Sequence, residues 1–84
     1  MKGGVYMLGN KIKALLNLKN KSTNDLCKAL NIINVAFYRK AKNNTFKVDE
    51  LIKIADLTDT RLAFIGDDDK PIIIFDNNDI KSEN

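Results

Sequence analysis

The side chains best suited to recognising another molecule are concentrated between residues 34 and 42. Asn34, Tyr38 and Arg39 stand there among lysines, and their amide, hydroxyl and guanidinium groups donate or accept hydrogen bonds. Groups of this kind bind base edges, phosphates and other polar surfaces without an activated nucleophile. This segment therefore favours recognition chemistry over bond-making chemistry.

Bond-making and metal chemistry have few candidate residues. The chain contains no histidine and a single cysteine, Cys27, which excludes an intrachain disulfide, a four-ligand zinc site and a Cys-His or Ser-His nucleophile. No phosphate-loop or dinucleotide-binding glycine pattern occurs. The acidic residues lie mostly in the run at 67–69 and in the tail, where they are typical of solvated surface. We expect no enzyme, no metal and no cofactor, and we interpret Cys27 as a core residue.

Charge is divided unevenly along the chain. Residues 1–47 contain ten basic residues and one acid, a net charge of +9, whereas residues 48–84 contain four basic residues and ten acids, a net charge of −6. A basic portion of this kind is typical of polyanion-binding segments. The pattern favours a polyanion-binding first half, the alternative being chance segregation of charge.

Apolar spacing predicts a mainly α chain. The first helix covers residues 8–18, with an apolar face formed by Leu8, Ile12, Leu15 and Leu16. The second helix begins at the capping sequence 22–25 and ends at Asn31, a residue type that tolerates the left-handed conformation. The third covers 34–42, with Phe37 and Ala41 turned inward, and ends at Asn43-Asn44. The fourth covers 48–57, with an inward face formed by Val48, Leu51, Ile52 and Ala55.

The period changes after Asp59. Residues 61–65, 66–70 and 71–75 read as strand, turn and strand, which predicts a C-terminal β-hairpin. The domain plan is then a leader or disordered arm at 1–7, a domain of four helices at 8–59, the hairpin at 60–76 and a flexible tail at 77–84. Met7 is an alternative start, because the first codons can encode a ribosome-binding sequence.

Residues 22–46, Ser-Thr-Asn-Asp-Leu-Cys-Lys-Ala-Leu-Asn-Ile-Ile-Asn-Val-Ala-Phe-Tyr-Arg-Lys-Ala-Lys-Asn-Asn-Thr-Phe, resemble the Cro/repressor-like (XRE-type) helix-turn-helix family. The family's Leu-Ala pair, turn residue, following Ile and apolar recognition-helix residue align with Leu26-Cys27, Asn31, Ile32 and Phe37. The resemblance extends over residues 8–65. It implies a lambda-repressor-like domain of four to five helices with the hairpin appended. Departures are Asn31 for the usual Gly, Ile33 for a capping Ser and Lys40 for an apolar residue.

The resemblance implies double-stranded DNA as partner, with the third helix as recognition helix. With Phe37 and Ala41 inward, the expected base contacts are Asn34, Val35, Tyr38 and Arg39. The expected phosphate contacts are Lys21, Thr23, Asn24, Lys28, Lys42, Asn43, Asn44 and Lys47. For Asn34 and Tyr38 the alternatives are a helix cap and a packed, half-exposed ring.

The hairpin is more apolar than one small domain needs, which predicts a homodimer interface. Its expected residues are Leu62, Phe64, Ile72, Ile73, Ile74 and Phe75. The alternative is a hairpin folded wholly onto its own helices. A dimer also suits DNA recognition, because proteins of this motif class place two recognition helices about 34 Å apart.

The expected function is therefore sequence-specific regulation of transcription, more often as a repressor, in a bacterium, phage or plasmid. Alternatives are a plasmid replication, transfer or partition factor, an antitoxin, or a protein-interaction module without DNA binding. A separate protein partner is compatible with each of these. No apolar run reaches the length of a membrane span and no secretory signal is evident, so we expect a cytoplasmic protein without membrane association.

Overall fold

The computed structural model describes residues 7–80. Their elements in chain order are α1 (Met7–Leu18), α2 (Thr23–Leu30), α3 (Asn34–Asn43), α4 (Val48–Leu57), β1 (Leu62–Ile65), β2 (Pro71–Phe75) and a 3-10 helix (Asn77–Asp79). The predicted fold class, a mainly helical chain with a C-terminal antiparallel hairpin, is confirmed. Of the leader or arm predicted at residues 1–7, residues 1–6 lie outside the described residues and Met7 is the first residue of α1.

The chain divides into two compact units, Met1–Phe46 and Lys47–Asn84. The first contains α1 to α3, and the second contains α4, the hairpin and the 3-10 helix. The unit boundary falls beside Lys47, where the charge of the sequence changes sign. The domain predicted at residues 8–59 spans this boundary.

The first unit is built around α3, which contacts both α1 and α2. Its buried apolar side chains are Ile12, Leu16, Leu26, Cys27, Leu30, Phe37 and Ala41. Phe37 is fully buried, with the Phe46 ring 5.8 Å away between centroids. Gly9 of α1 faces Ala41 of α3 so closely that a Cβ at Gly9 would lie 2.7 Å from the Ala41 Cβ. This approach requires glycine, because nonbonded carbon atoms prefer about 3.5–4.0 Å.

Local hydrogen bonds set the ends of α2 and α3. The Ser22 hydroxyl accepts a bond from the Asp25 N–H (3.1 Å), and the Asp25 carboxylate accepts one from the Ser22 N–H (2.9 Å). Asn31 and Asn44 follow the two helices with φ of 58° and 54°, the left-handed conformation predicted for them. The turn between α2 and α3 is therefore three residues long.

The buried side of α4 in the second unit agrees with the predicted one except at its start. Ile52, Ile54 and Ala55 are buried, whereas Val48 is 55% exposed, so its predicted inward position is wrong. Val48 is the first residue of the helix, and Cβ atoms tilt toward the helix N-terminus, where no further turn covers the side chain. Thr58 caps the other end and is fully buried, with its hydroxyl donating to the Ile54 carbonyl at 2.9 Å.

The hairpin pairs Leu62 with Phe75, Ala63 with Ile74 and Phe64 with Ile73, followed by a bulge where Ile65 meets Pro71. The chain then enters the 3-10 helix, whose first turn is capped by Asp76. Residues 77–79, which lie in the tail predicted to be flexible, form this 3-10 helix, and the Asp76 carboxylate accepts a hydrogen bond from the Asn78 N–H. The last four residues lie outside the described part. Between residues 7 and 80, no helix has the length and apolar character needed to cross a membrane.

Candidate nucleic-acid interface

The exposed side of α3 is set by the two residues that α3 buries. Phe37 and Ala41 are buried, as predicted, and they lie one helical turn apart on the same face. The four predicted base-contact residues all lie outside that face and are exposed: Asn34, Val35, Tyr38 and Arg39. The buried face of α3 thus holds the helix in the unit while the other face meets solvent. We refer to this solvent-facing side, residues 34, 35, 38, 39 and 42, as the α3 surface.

Asn34 is held in place from the neighbouring helix. Its Nδ2 donates a hydrogen bond to Asn24 Oδ1 at 3.3 Å, joining the first turn of α3 to the first turn of α2. Asn34 is the first helical residue rather than the cap, since Ile33 occupies the N-cap position without a side-chain hydrogen bond. The other Nδ2 proton and the Oδ1 atom of Asn34 are still able to donate and accept together, as adenine recognition requires.

Tyr38 lies between a buried ring and a cation. Its ring meets the Phe37 ring edge-on, with centroids 5.1 Å apart and an interplanar angle of 74°. The Lys13 ammonium of α1 lies 4.9 Å from the Tyr38 centroid, within cation–π range. Tyr38 is nevertheless 49% exposed, so its ring is restrained but accessible.

Two apolar side chains sit at the start of the α3 surface. Val35 is 60% exposed, and Ile33, for which no contact was predicted, is 70% exposed. Exposed branched side chains at such positions can touch the methyl group of thymine. The signal for Ile33 was present in the sequence, because an apolar residue replaces the usual capping serine there.

The predicted phosphate-contact residues are distributed over both units. Around the start of α2, Asn24 is exposed and Lys21 and Thr23 are half-buried; Lys28, at the other end of α2, is exposed. Lys42, Asn43 and Asn44 are exposed at the end of α3. Lys47 is exposed at the N-cap of α4, and therefore belongs to the second unit.

The single acid of the first unit is engaged in a helix cap. Asp25 accepts the Ser22 N–H, and this backbone hydrogen bond, followed by that of the Ser22 hydroxyl, lowers the pKa of Asp25 below its usual value. Lys21 and Lys28 lower the pKa further. Residues 7–46 therefore carry eight basic side chains and one carboxylate, and that carboxylate is engaged in the helix cap.

No family model, curated protein or solved structure matches this chain. The candidate interface therefore rests on the residues of the chain itself. The resemblance of residues 22–46 to a helix-turn-helix family stays a prediction.

A second exposed surface lies on the hairpin. Five apolar side chains there are exposed, and we call them the hairpin surface: Phe64, Ile65, Ile72, Ile73 and Ile74. The Phe64 ring packs against the Phe75 ring, with centroids 5.7 Å apart. Leu62 and Phe75 were both predicted in the interface, but they are half-buried rather than exposed. Ile65 was not among the predicted interface residues, although it ends the same apolar strand.

Cys27 lies in the core of the first unit. It is buried, and desolvation raises the pKa of its thiol, which disfavours the reactive thiolate. Among residues 7–80, no group of three or more cysteine or acidic side chains is arranged to hold a metal ion. The chemistry offered by the first unit is thus hydrogen bonding and positive charge.

Proposed function

We propose that this protein is a sequence-specific regulator of transcription that binds double-stranded DNA through α3. It acts as a repressor, by occupying an operator. One observation carries the proposal. The buried side of α3 is apolar and fixed by Phe37 and Ala41, while its exposed side carries Asn34, Tyr38 and Arg39 in a unit whose one acid is engaged in a cap. A helix with this arrangement fits a major groove, which is about 12 Å wide.

In the proposed complex the side chains of the α3 surface divide the work of reading bases. Arg39 suits a guanine, whose O6 and N7 accept two parallel bonds from a guanidinium. Asn34 suits an adenine, because an amide donates to N7 and accepts from N6. Val35 and Ile33 add apolar contact to thymine methyl groups, and the Tyr38 hydroxyl reaches a base or a phosphate.

In this proposal, residues at the start of α2 and at the end of α3 contact phosphate. Lys21, Thr23 and Asn24 surround the start of α2, where unsatisfied N–H groups and the helix dipole favour an anion. Lys42 and Asn43 lie in the last turn of α3 and Asn44 is its C-cap, and all three are exposed. Lys28, together with Lys47 of the second unit, adds positive charge. These contacts fix the register of α3 on the duplex and supply affinity that does not depend on sequence.

The proposed operator complex contains two copies of the chain, joined through the hairpin surface. A two-stranded hairpin has two edges, and an isolated one is marginally stable in water. Five of the nine strand residues carry exposed apolar side chains, and a second copy would cover those on one face of the hairpin. The contact would be isologous, as a palindromic DNA site requires.

Regulation needs no cofactor in this proposal. Occupancy of the operator follows from protein concentration and dimerisation, or from a separate protein partner. The hairpin surface also supports a second candidate, a protein-interaction module in which α3 does not touch DNA. The proposal also includes two further points. The protein is a member of the Cro/repressor-like family, and it acts in the bacterial cytoplasm.

Selection of bound genomic fragments, followed by footprinting, tests this proposal. We expect enrichment of one sequence with two inverted half-sites, their centres about one helical turn (10 to 10.5 base pairs) or a multiple apart. A variant with Asn34, Tyr38 and Arg39 all replaced by alanine should enrich nothing while keeping its circular dichroism spectrum. The interaction module would be supported, and DNA regulation contradicted, if the unaltered protein retained no fragment at low salt.

A further inference from the structure

Lys13 of α1 is not among the residues predicted to contact DNA. Its side chain is exposed, yet its ammonium does not extend freely into solvent: it lies 4.9 Å from the centroid of the Tyr38 ring on α3. The lysine thus joins the first helix to the proposed base-reading helix. The Tyr38 ring is the only described aromatic ring over which a cation is placed.

Tyr38 lines two clefts of the first unit. One cleft of about 370 Å³ is lined by Gly9, Asn10, Lys13, Tyr38, Ala41 and Lys42, and another of about 230 Å³ by Lys13, Leu16, Asn17, Lys21, Ser22, Thr23 and Tyr38. Lys13 and Tyr38 line both clefts, so the pair forms the wall between them. Phe37 and Tyr38 meet in a T-shaped arrangement, and the Lys13 ammonium is a second contact of the Tyr38 ring.

The charged residues of these clefts are all lysines. Lys42 lies in one cleft, Lys21 in the other and Lys13 in both, and no carboxylate lines either. The Lys13 ammonium therefore has the ring face, rather than an acid, as its partner in these clefts. An ammonium held over a ring restricts the swing of that ring without occupying its hydroxyl.

We propose that Lys13 is a positioning residue for Tyr38, holding the ring so that its hydroxyl meets the same DNA atom in every complex. This inference rests on the proposed function, since it assigns Lys13 a task in DNA recognition. The physical basis is that ordering a mobile side chain on binding costs affinity, and a ring already restrained in the free protein loses less. Lys13 acts through Tyr38 and touches no base itself.

A double-mutant cycle on operator affinity tests this role. Lys13→Met, which keeps the aliphatic stem, should weaken binding about two- to fivefold, the size expected for an exposed cation–π contact. Lys13→Arg should restore affinity, because a guanidinium also lies over a ring. In a Tyr38→Leu background, Lys13→Met should have no further effect. Independent, multiplying losses from the two substitutions would overturn the proposal.

The salt dependence of binding separates positioning from direct phosphate contact. If Lys13 acts through Tyr38, Lys13→Met leaves the slope of log K against log salt unchanged. A phosphate-contacting lysine would instead reduce the slope by about 0.9 per contact, and that result would also overturn the proposal. Lys42→Met, at a residue proposed to contact phosphate, provides the matched control with a reduced slope.

NMR of the free protein tests the contact without DNA. The ε-methylene protons of Lys13 should be shifted upfield by the Tyr38 ring current, and the shift should vanish in Tyr38→Leu. Absence of the shift in the unaltered protein would overturn the positioning role even where DNA binding is intact. Conversely, failure of the unaltered protein to bind any DNA would remove the proposed function, and the role of Lys13 with it, while leaving the ring-current shift in place.

Discussion

The Asn34 side chain donates a hydrogen bond to Asn24 Oδ1 at 3.3 Å, so the first turns of α2 and α3 are linked by two amides. The first turn of α2 is proposed to contact phosphate, and α3 is proposed to read bases. The bond orients Asn34 in the free protein. It also makes the position of one amide depend on the other, so we expect Asn24 to influence base reading in addition to its proposed phosphate contact.

Asn34→Ala should weaken operator binding by about 1 to 3 kcal/mol, because a bidentate amide contact to one base is lost. Asn24→Ala should weaken it less and alter preference at the same base pair, since Asn34 then loses its orientation. Affinity for operators changed one position at a time measures both effects. Asn78→Ala, an exposed substitution in the second unit, is the matched control. Loss of preference at different base pairs in the two variants would contradict the link.

Arg39→Ala should cost about 1 to 3 kcal/mol of binding free energy and relax specificity at one base position. Arg39→Lys should recover part of the affinity but not the specificity, because an ammonium lacks the two-pronged geometry that guanine accepts. The same panel of operator variants distinguishes the outcomes. Equal weakening across the whole panel would reassign Arg39 to a phosphate.

Gly9→Ala should destabilise the first unit, because the added Cβ would lie 2.7 Å from the Ala41 Cβ on a neighbouring helix. Overpacking typically costs about 1 to 3 kcal/mol, against a gain of about 1 kcal/mol from replacing glycine in a helix, so a net loss is expected. Chemical denaturation measures it. Ala41→Gly should cost less in the Gly9→Ala background than in the unaltered protein, whereas additive costs would show that the helices separate freely.

The cap at Asp25 makes stability depend on pH. Hydrogen bonds to the Ser22 N–H and hydroxyl lower the pKa of Asp25 below its usual value of 3.8. The cap therefore contributes stability above pH 3.8 and loses it as the pH falls through the lower pKa of the folded state. In Asp25→Asn, thermal unfolding should occur at a lower temperature at neutral pH, and the difference from the unaltered protein should narrow with acidification. If the difference in unfolding temperature stayed constant with pH, the Asp25 carboxylate would be excluded as the source of the pH dependence.

Ile73→Lys should prevent dimerisation while leaving the monomer folded, because Ile73 is 52% exposed in the hairpin and its replacement would bury a charge in the interface. Sedimentation equilibrium measures the association constant. Leu18→Lys is the control, since Leu18 is 80% exposed but lies at the end of α1. Equal effects of the two substitutions, or a monomeric unaltered protein, would count against the hairpin interface.

Features set by neighbouring residues were predictable from the sequence. A few adjacent residues determine the reciprocal hydrogen bonds of Ser22 and Asp25 and the left-handed conformations of Asn31 and Asn44. The predicted ends of α2 and α3 therefore agree with the observed ends to within one residue. The hairpin followed in the same way, because the change from helical to strand periodicity is local. The exposed residues of α3 were also predictable, because placing Phe37 in the core determines which side of the helix faces solvent.

Features that join distant residues were not predictable. The Asn24–Asn34 bond and the stacking of Lys13 on Tyr38 depend on how helices cross, which the spacing within one helix does not specify. Val48 was misassigned for a related reason, because apolar spacing marks a face of a helix but not how far cover extends along it. The 3-10 helix at residues 77–79 is not predictable from apolar spacing, because it depends on the polar cap at Asp76.

The salt dependence of binding to a selected operator tests the central claim most directly. DNA binding through the basic first unit predicts that log K falls linearly with log salt, with a slope of about −0.9 for each phosphate contacted, and that replacing Lys21 or Lys42 makes the slope shallower. A fluorescent duplex titrated at several salt concentrations gives the slope. A flat response, or equal affinity for every duplex tested with no dependence on Arg39, would contradict sequence-specific DNA binding by α3.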